Sequence, residues 1–244
     1  MESQREQAQM MEAISTLAGG IAHRFNNDLH IITGYIDLLK MNLPDNEKID
    51  KYIEPVRASV CRMSHLTNQF LAFAREGKYQ PKVLSLTDFV AESLLLIQHS
   101  INHGIHIETD LAIDVSYVEA DFTQMQMVLS ALLDNAQEAI KAEGLIQIST
   151  RNEDIGEDFA GRPAGLEPGC YACLTIKDNG KGMGEETKDR IFEPFFTTKI
   201  QGRGLGMAAV YGIVKNHDGW IRVDSELWKG TAVSIYLPSI NGRA

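Results

Sequence analysis

Residues 171–184 read YACLTIKDNGKGMG and are the most informative segment for the fold of the second half of the chain. Residues 171–177 are mostly apolar or β-branched, which predicts a β-strand. The strand leads into Asp178 and a turn that contains Gly180 and Gly182. An acid at a strand end can accept a hydrogen bond from an exocyclic amine, and glycines let the backbone approach a flat base closely. The turn therefore indicates a binding site for a flat, amine-bearing heterocyclic base. Any tight turn could also contain the spacing DxGxG.

Helices and short strands alternate around this stretch. The patterns predict helices at 87–100, 122–142 and 204–217, and strands at 104–109, 115–119, 145–151, 171–177, 219–225 and 231–237. Three helices with several short strands are typical of an α/β sandwich with a mixed sheet. Residues 152–169 are rich in Gly, Pro and acids, so we expect a solvent-exposed loop between two strands there.

The first part of the chain has a different periodicity. Apolar residues recur every three or four positions over 10–43, as one stripe of a long helix requires, and a second series covers 49–73. The break at 42–46 contains Pro44, so the two helices should form a hairpin. Each helix has one apolar stripe, which is too little to bury alone. We therefore expect a homodimer in which two hairpins form a four-helix bundle, followed by a linker at 77–81.

The composition is that of a folded protein. The chain has 244 residues, of which 44% are apolar and 23% charged. Its longest apolar run, at 94–97, is far below the roughly 18 residues of a spanning helix. The charged N-terminus has no signal-peptide pattern. We expect no membrane contact by this chain and a cytoplasmic location, alone or as the cytoplasmic part of a longer protein.

Charge and cysteine content narrow the function classes further. The formal net charge of −10 argues against nucleic acid or an anionic membrane as the main partner. Residues 194–216 contain no acid but include Lys199, Arg203 and Lys215, so an anionic ligand would belong there. The pair Cys170 and Cys173 lies in a predicted strand without a second ligand pair. Reduced thiols are therefore expected rather than redox or zinc chemistry.

Two helical segments carry candidate chemistry. Residues 17–27 read LAGGIAHRFNN, and His23 lies about 200° from the stripe residue Ile21. His23 should face solvent, where a neutral imidazole is a nucleophile toward a phosphoryl group, unless it is a plain surface histidine. In LLDNAQEAI, residues 132–140, Asn135 and Glu138 share one helix face. A carboxamide oxygen suits Mg²⁺ on a polyphosphate, and a solvated helix face is the alternative.

Two further segments lie near the predicted third helix. Residues 191–199 read IFEPFFTTK, an apolar segment that ends in two hydroxyls and Lys199. Residues 202–206 read GRGLG and open the helix. Glycines before a helix N-terminus leave backbone N–H groups available to phosphate oxygens in a positive dipole field.

Taken in order, these motifs resemble those of the sensor histidine kinases of two-component signalling, over about residues 17–238. The matching pieces are LAGGIAHRFNN (H box), LLDNAQEAI (N box), DNGKGM (first G box), FEPFFTTK (F box) and GRGLGMAAVYGIVKNHDG (second G box). The resemblance implies an α+β architecture: a dimerisation and phosphoacceptor hairpin at 1–77, then an ATP-binding domain at 83–240. That domain would be of the Bergerat type shared with Hsp90 chaperones, DNA gyrase and MutL.

The resemblance also implies roles for individual residues. His23 would accept the γ-phosphoryl group of ATP, and a response regulator would then take it onto an aspartate. Asn27, four residues on, would orient the water that hydrolyses the phospho-aspartate; it lies about 40° from His23 around the helix. Asn135 would bind Mg²⁺, and Asp178 would contact adenine, supported through water by Thr231. The remaining nucleotide contacts would be Gly180, Gly182, Lys199, Gly202, Gly204 and Gly206, with a nucleotide lid at 184–204.

The sequence departs from the family pattern at two positions. Arg24 stands where an Asp or Glu usually acts as the base for the phosphorylated histidine, and arginine cannot accept a proton. Ala131 stands where the N box often has another asparagine. Two functions are therefore kept: an active protein-histidine kinase that could also act as a phosphatase, or an ATP-binding dimeric scaffold or phosphotransfer partner with little autokinase activity.

Overall fold

The computed structural model describes residue 25 and residues 27–42, 47–73, 79–97, 101–102, 104–156, 167–199 and 204–240. The chain divides into two compact units, Met1–Lys78 and Tyr79–Ala244. No helix in the described part of the chain combines the length and the apolar character that a membrane span requires. His23, Arg24 and Gly202 lie outside the described residues.

The first unit contains a helical hairpin. Helix α1 is described over residues 27–42, and α2 covers Glu47–Phe73. Their contact is a small apolar cluster made of Leu29, Ile36, Ile49, Ile53 and Val60. Lys40, near the end of α1, pairs with Asp50 at 3.7 Å and with Glu54 at 2.5 Å, near the start of α2. The two helices are therefore antiparallel, which confirms the predicted hairpin within the described residues.

One face of the hairpin stays open. Phe25, Ile32 and Leu39 belong to the predicted apolar stripe of α1, yet 48%, 42% and 49% of their surface is exposed. Val56 and Met63 on α2 are exposed to a similar extent. These side chains are apolar and about half exposed, so the described part of the hairpin buries only part of its apolar surface.

The second unit contains a mixed α and β domain. Its helices and strands are β1 (Lys82–Leu84), α3 (Leu86–Ile97), β2 (Ile105–Leu111), β3 (Val118–Ala120), α4 (Phe122–Ala139), β4 (Gly144–Ile155), β5 (Gly169–Asp178), α5 (Glu185–Arg190), α6 (Gly206–Asn216), β6 (Trp220–Glu226) and β7 (Gly230–Pro238). Most boundaries lie within three residues of the predicted ones. The α+β class is confirmed.

Five strands form the main sheet, in the order β2-β4-β5-β7-β6. The β2–β4 pair is parallel and the other three pairs are antiparallel, so the sheet is mixed, as predicted. Helices α4 and α6 pack against each other and against this sheet. Leu129, Leu133 and Ile213 from these helices are completely buried, as are Ile148 and Leu174 from the sheet. The apolar faces of two layers therefore form one core.

The structure of this unit differs from the sequence analysis at three places. The strand at 115–119 is reduced to β3, which pairs with the unpredicted β1 in a separate two-stranded sheet. Part of the loop at 152–169 is strand, because the β4–β5 ladder continues to the pair Ile155 and Gly169. Helix α5 was missed because it has only six residues and buries none of them, so no apolar stripe marks it.

His217 fixes one end of the helical layer. Its side chain is buried at the C-terminus of α6, where Nδ1–H donates to the Ile213 carbonyl at 2.7 Å and Nε2 accepts the Asp121 N–H at 2.9 Å. This arrangement requires the neutral imidazole. Asp121 is also the N-cap of α4, and its carboxylate accepts the N–H groups of Gln124 and Gln80. His217 and Asp121, which we call the His217–Asp121 node, therefore join α6, α4 and the backbone at Gln80.

The node makes stability depend on pH. Burial lowers the pKa of His217 below its usual 6.5, and this outweighs the Ile213 hydrogen bond and the nearby carboxylates of Asp121 and Asp218. The unfolded chain therefore binds a proton near pH 6.5 while the folded chain does not. The contribution of neutral His217 to the free energy of unfolding is therefore complete above pH 6.5. It is lost as the pH falls through the lower pKa of His217 in the folded state.

We predict that His217→Gln lowers the free energy of unfolding of this unit at pH 7.5 by about 1 to 3 kcal/mol, the range for disrupting a buried hydrogen bond. The difference from the wild type should shrink at pH 5, because only the wild type has this titrating group. Urea unfolding followed by tryptophan fluorescence measures it, since both tryptophans, Trp220 and Trp228, lie in this unit. A difference that is the same at both pH values would contradict the prediction.

Candidate functional site

Asp178 is the last residue of the central strand β5. It lies opposite Ile146 of β4 and Thr231 of β7, and only 7% of its surface is exposed. Its Oδ1 accepts the Gly180 N–H at 2.8 Å. Burial raises the pKa of the carboxyl, while the backbone amides of Gly180 and Thr231 act against that shift. The residue is a partly desolvated acceptor at a strand end, which a hydrogen-bond donor on a ligand would stabilise.

The turn after Asp178, residues 179–183, is fixed on both sides. Asn179 accepts the Leu145 N–H with its side chain at 2.9 Å, and Lys181 N–H donates to the Ala139 carbonyl of α4 at 3.0 Å. On the other side, Met183 N–H donates to the Ser225 hydroxyl at 2.8 Å. The main chain is thus held against α4 and the β6–β7 hairpin without any bulky side chain in between.

Glycine is required at two positions of this region. Gly182 has φ of 61°, and a Cβ there would lie 2.0 Å from the Glu226 carbonyl oxygen. Gly230 has φ of 97°, and its Cβ would lie 2.0 Å from the Asp178 carbonyl oxygen. Both backbones pass where a side chain cannot fit, so the turn and the hairpin close directly around the end of β5.

Ser225 and Thr231 connect the hairpin to the turn. Their hydroxyls lie 2.9 Å apart, and the Ser225 hydroxyl also donates to the Gly230 carbonyl at 3.1 Å. Thr231 is buried opposite Asp178. Thr231, a predicted site residue, therefore lies next to Asp178 at the strand end, and its hydroxyl is held by Ser225.

The candidate phosphate-binding residues meet between α4 and α6. A Cβ on Gly206, the first residue of α6, would lie 3.9 Å from Nδ2 of Asn135. The N-cap of α6 is Leu205, whose side chain forms no capping hydrogen bond. The first N–H groups of a helix have no partner within the helix, so this terminus suits an anion. The structure thus brings Asn135 and Gly206 together.

Lys199 lies against the same part of α4. Its ammonium group donates to Asn135 Oδ1 at 2.8 Å and pairs with the Glu138 carboxylate. Two oxygens one helical turn apart therefore converge on one positive charge. Oxygen ligands of this type fit Mg²⁺, which keeps several waters and takes only one or two protein ligands when it binds a polyphosphate. No cluster of three or more His, Cys, Asp or Glu that could hold a metal occurs among the described residues.

Residues 191–199, which we call the F segment, pack on the helical layer. Phe192 contacts the Tyr211 ring of α6 at 5.3 Å between centroids, and Phe195 N–H donates to the Gly204 carbonyl at 2.9 Å. Gly204 has φ of 65°, and a Cβ there would lie 2.4 Å from the backbone of Phe195. The Arg190 guanidinium stacks 4.2 Å from the Phe196 ring. Gly204 therefore allows close contact between the segment and the chain that leads into α6.

The other predicted site residues divide between the two units. Gly180 lies against α4, where a Cβ would be 2.7 Å from the Ala139 backbone. Asn27 lies in the first unit, on α1, and is exposed. The structure thus groups Asn135, Asp178, Gly180, Gly182, Lys199, Gly204, Gly206 and Thr231 in the second unit.

A cavity of about 200 Å³ lies beside this group. It is bounded by the end of α4, residues 179–181 and Trp228, whose ring lies 5.9 Å from the Lys141 ammonium. Its lining includes neither Asp178 nor Asn135. The cavity is therefore adjacent to the candidate site and is not its centre.

Sequence reasoning missed several residues that hold the site. Asn179 and Ser225 bridge elements that are far apart in sequence, and no local pattern marks them. Glu138 was noted only for sharing a helix face with Asn135. Its contact with Lys199 depends on the path of the F segment, which periodicity does not give.

Two family models match the chain. Residues 120–241 match "Histidine kinase-, DNA gyrase B-, and HSP90-like ATPase", and residues 13–78 match "His Kinase A (phospho-acceptor) domain". The first match lies within the second unit of the structure and the second match within the first unit.

Curated relatives extend beyond this chain. It is 37% identical to the sensor kinase CckA of Brucella abortus over 98% of this chain and 26% of the relative. It is 32% identical to sporulation kinase A of Bacillus subtilis over 91% of this chain and 34% of the relative. It is 31% identical to the signal transduction histidine-protein kinase AtoS of Escherichia coli over 97% of this chain and 37% of the relative. The chain thus spans between about a quarter and two fifths of these relatives.

Solved structures agree in fold. Full-length ShkA in complex with AMPPNP superposes with a TM-score of 0.70 at 21% identity, over 91% of this chain and 45% of that one. The histidine kinase ThkA in complex with the response regulator TrrA has a TM-score of 0.59 at 24% identity, over 98% of this chain and 65% of that one. The catalytic domain of ThkA has a TM-score of 0.53 at 28% identity, over 66% of this chain and 96% of that one.

The close approach of the turn to the hairpin predicts that Gly182→Ala destabilises the second unit by about 2 kcal/mol or more, from positive φ and overlap with Glu226. Gly184→Ala is the matched control, because its Cβ would meet only Leu227 Cδ1 at 3.6 Å and should cost less than about 1 kcal/mol. Urea unfolding by tryptophan fluorescence compares them. Equal stability of the two variants would contradict this view of the turn.

Proposed function

The chain belongs to the sensor histidine kinases, and we propose that it is an ATP-dependent autokinase that phosphorylates its own His23 and passes the phosphoryl group to an aspartate of a response regulator. The observation that supports this most is the end of β5, where the buried carboxylate of Asp178 is enclosed by the Gly182 turn and the Gly230 hairpin. In the same unit the uncapped N-terminus of α6 lies beside Asn135. The boundaries that we propose are 1–77 for the phosphoacceptor hairpin and 83–240 for the ATP-binding domain.

Adenine recognition is assigned to Asp178. Its carboxylate already accepts the Gly180 N–H and is largely buried, so an exocyclic amine that donates to it would offset part of its desolvation. Gly180 and Gly182 keep side chains away from the base. Thr231, buried beside the strand end, would support the contact through water.

Phosphate binding is assigned to the start of α6 and to the F segment. Gly202, Gly204 and Gly206 would leave backbone N–H groups and the positive end of the helix dipole available to phosphate oxygens. Lys199 adds a positive charge. Asn135 would hold Mg²⁺ through its side-chain oxygen, and the ion would neutralise phosphate charge when bound.

The transfer step uses His23 as nucleophile. An imidazole nitrogen forms a bond to the γ-phosphorus, the bond to the bridging oxygen of ADP breaks, and the imidazole proton leaves to a base or to water. The phosphoryl group then moves to a carboxylate of the response regulator. The N–P bond breaks, and the imidazole takes up a proton from solvent, which regenerates neutral His23. Asn27, exposed on α1 four residues further on, would orient the water when the phospho-aspartate is hydrolysed.

A homodimer is the proposed assembly. The open face of the hairpin includes Ile32 and Leu39, which lie two turns apart on α1, and Val56 and Met63 on α2. A second copy would cover both pairs and complete a four-helix bundle.

A second function stays possible because of Arg24. Without an acid beside His23, the chain would bind ATP and dimerise but act mainly as a scaffold, phosphotransfer partner or phosphatase. Nucleotide binding is common to both functions, so self-labelling separates them.

We predict that Asp178→Asn weakens ATP binding by about 1 to 3 kcal/mol, because the amide replaces a charged acceptor. The same change should slightly raise the stability of the nucleotide-free protein, since burial opposes the charge of Asp178. Calorimetry with ATP and Mg²⁺ measures affinity, and Asp154→Asn, an acid on the edge of the β4–β5 ladder, is the control. Unchanged affinity in Asp178→Asn would show that adenine binds elsewhere.

We predict that incubation with γ-³²P-ATP gives an acid-labile, alkali-stable label that is absent in His23→Gln. The rate should be low and should rise in Arg24→Asp, since general-base assistance typically contributes about 10² to 10⁴-fold. If Arg24→Asp labels more slowly than the wild type, the arginine stabilises the transferring phosphoryl group and this view of the base is wrong.

We predict that the full chain has the mass of a dimer by light scattering at micromolar concentration and that Leu39→Asp shifts it to the monomer. Leu38→Asp is the matched control, because Leu38 is also about half exposed but points about 100° away around the helix. A monomeric wild type, or equal effects of both variants, would rule out the proposed dimer face.

A further inference from the structure

Among the described lysines, Lys199 is the one whose ammonium group forms a hydrogen bond with Asn135. Its ammonium group donates to Asn135 Oδ1 at 2.8 Å and pairs with Glu138, and 29% of the Lys199 side chain is exposed. The lysine reaches these oxygens from the end of the F segment, whereas both acceptors lie on one turn of α4. The contact therefore joins 191–199 to the helix from which the metal ligand is proposed to come.

A magnesium ion would compete with the Lys199 ammonium for Asn135 Oδ1. A magnesium ion binds oxygen at about 2.0 to 2.1 Å, and the ammonium already lies at hydrogen-bond distance from Asn135 Oδ1. Two positive charges at one amide oxygen would repel each other strongly in a half-buried place. This repulsion favours displacement of Lys199 from Asn135 when magnesium binds there.

We propose that Lys199 is a latch: in the nucleotide-free protein its ammonium group occupies the place of the metal ion on Asn135 and Glu138 and holds the F segment against α4, and Mg-nucleotide releases it. The latch rests on the proposed function only for the identity of the competing ion. Its first half concerns the nucleotide-free protein alone.

The contacts of the F segment make Lys199 important for its order. At its start the segment is held by packing of Phe192 on Tyr211, and in its middle by the Phe195–Gly204 hydrogen bond. Thr197 and Thr198 are exposed, and the last described attachment of the segment is Lys199. Removing the ammonium should thus loosen residues 196–199 more than residues 191–193.

Release of the latch supplies a charge where the nucleotide needs one. Displaced from Asn135, the Lys199 ammonium is close to the N-terminus of α6, because Gly206 lies beside Asn135. The same side chain therefore neutralises α4 oxygens before binding and can approach phosphate oxygens after it. Unlatching and phosphate binding are then coupled in one residue.

Hydrogen exchange of the full-length chain tests the latch. In nucleotide-free protein, Lys199→Met and Glu138→Gln should each speed amide exchange of the peptide covering 194–199, by about three- to tenfold for a partly exposed ion pair with one charged hydrogen bond. The double variant should be no faster than Lys199→Met. Lys188→Met is the matched control, because Lys188 pairs with Glu185 on α5 and does not contact α4. It should leave this peptide unchanged.

The second arm tests displacement by Mg-nucleotide. With saturating ADP and Mg²⁺, Glu138→Gln and wild type should exchange at the same rate in this peptide, since Lys199 has left Glu138. Exchange unaltered by Lys199→Met without nucleotide would overturn the latch. A Glu138→Gln effect that persists with ADP and Mg²⁺ would overturn the displacement.

The proposed function fails separately. Calorimetry that finds no binding of ADP and Mg²⁺ to the wild type would refute nucleotide binding, and the nucleotide-free comparison of Lys199→Met with Lys188→Met would still decide whether the latch exists.

Discussion

The buried carboxylate of Asp178 at the end of the central strand is the constraint on which the rest of the site depends. A carboxylate that is 7% exposed and accepts few hydrogen bonds carries an unfavourable desolvation energy. The backbone amides of Gly180 and Thr231 offset part of this energy. Beside them, glycine is required at Gly182 and Gly230 because the main chains pass too closely for a Cβ. The turn and the β6–β7 hairpin thus enclose the strand end at which this carboxylate lies.

The helical layer supports the same site from the other side. At one end, His217 and Asp121 join the C-terminus of α6 to the N-cap of α4. At the opposite end of these helices lie Asn135 and Gly206. The node is remote from the ligand residues but fixes the distance between the helices that carry them, so its effect on the site is through geometry rather than contact.

Much of this fold was predictable because its core is periodic. The strand before Asp178 and the helices around Asn135 and after Gly206 have apolar patterns that local reasoning detects. Helix α5 and strand β1 escaped because six and three residues give no period. Residues 152–155 were expected to be a loop since Asn152, Glu153 and Asp154 are polar, yet pairing with β5 keeps them in the ladder. The ties made by Asn179, Ser225 and His217 join distant segments, and only the tertiary structure shows them.

The measurement that tests this account most directly is the titration of Asp178 itself. Carboxyl ¹³C chemical shifts of the nucleotide-free protein, assigned by comparison with Asp178→Asn, give its midpoint. Burial at the strand end predicts a midpoint above the usual 3.8. A midpoint at or below 3.8 would mean that the carboxylate is well solvated or fully satisfied by the protein, and the central constraint described here would not exist.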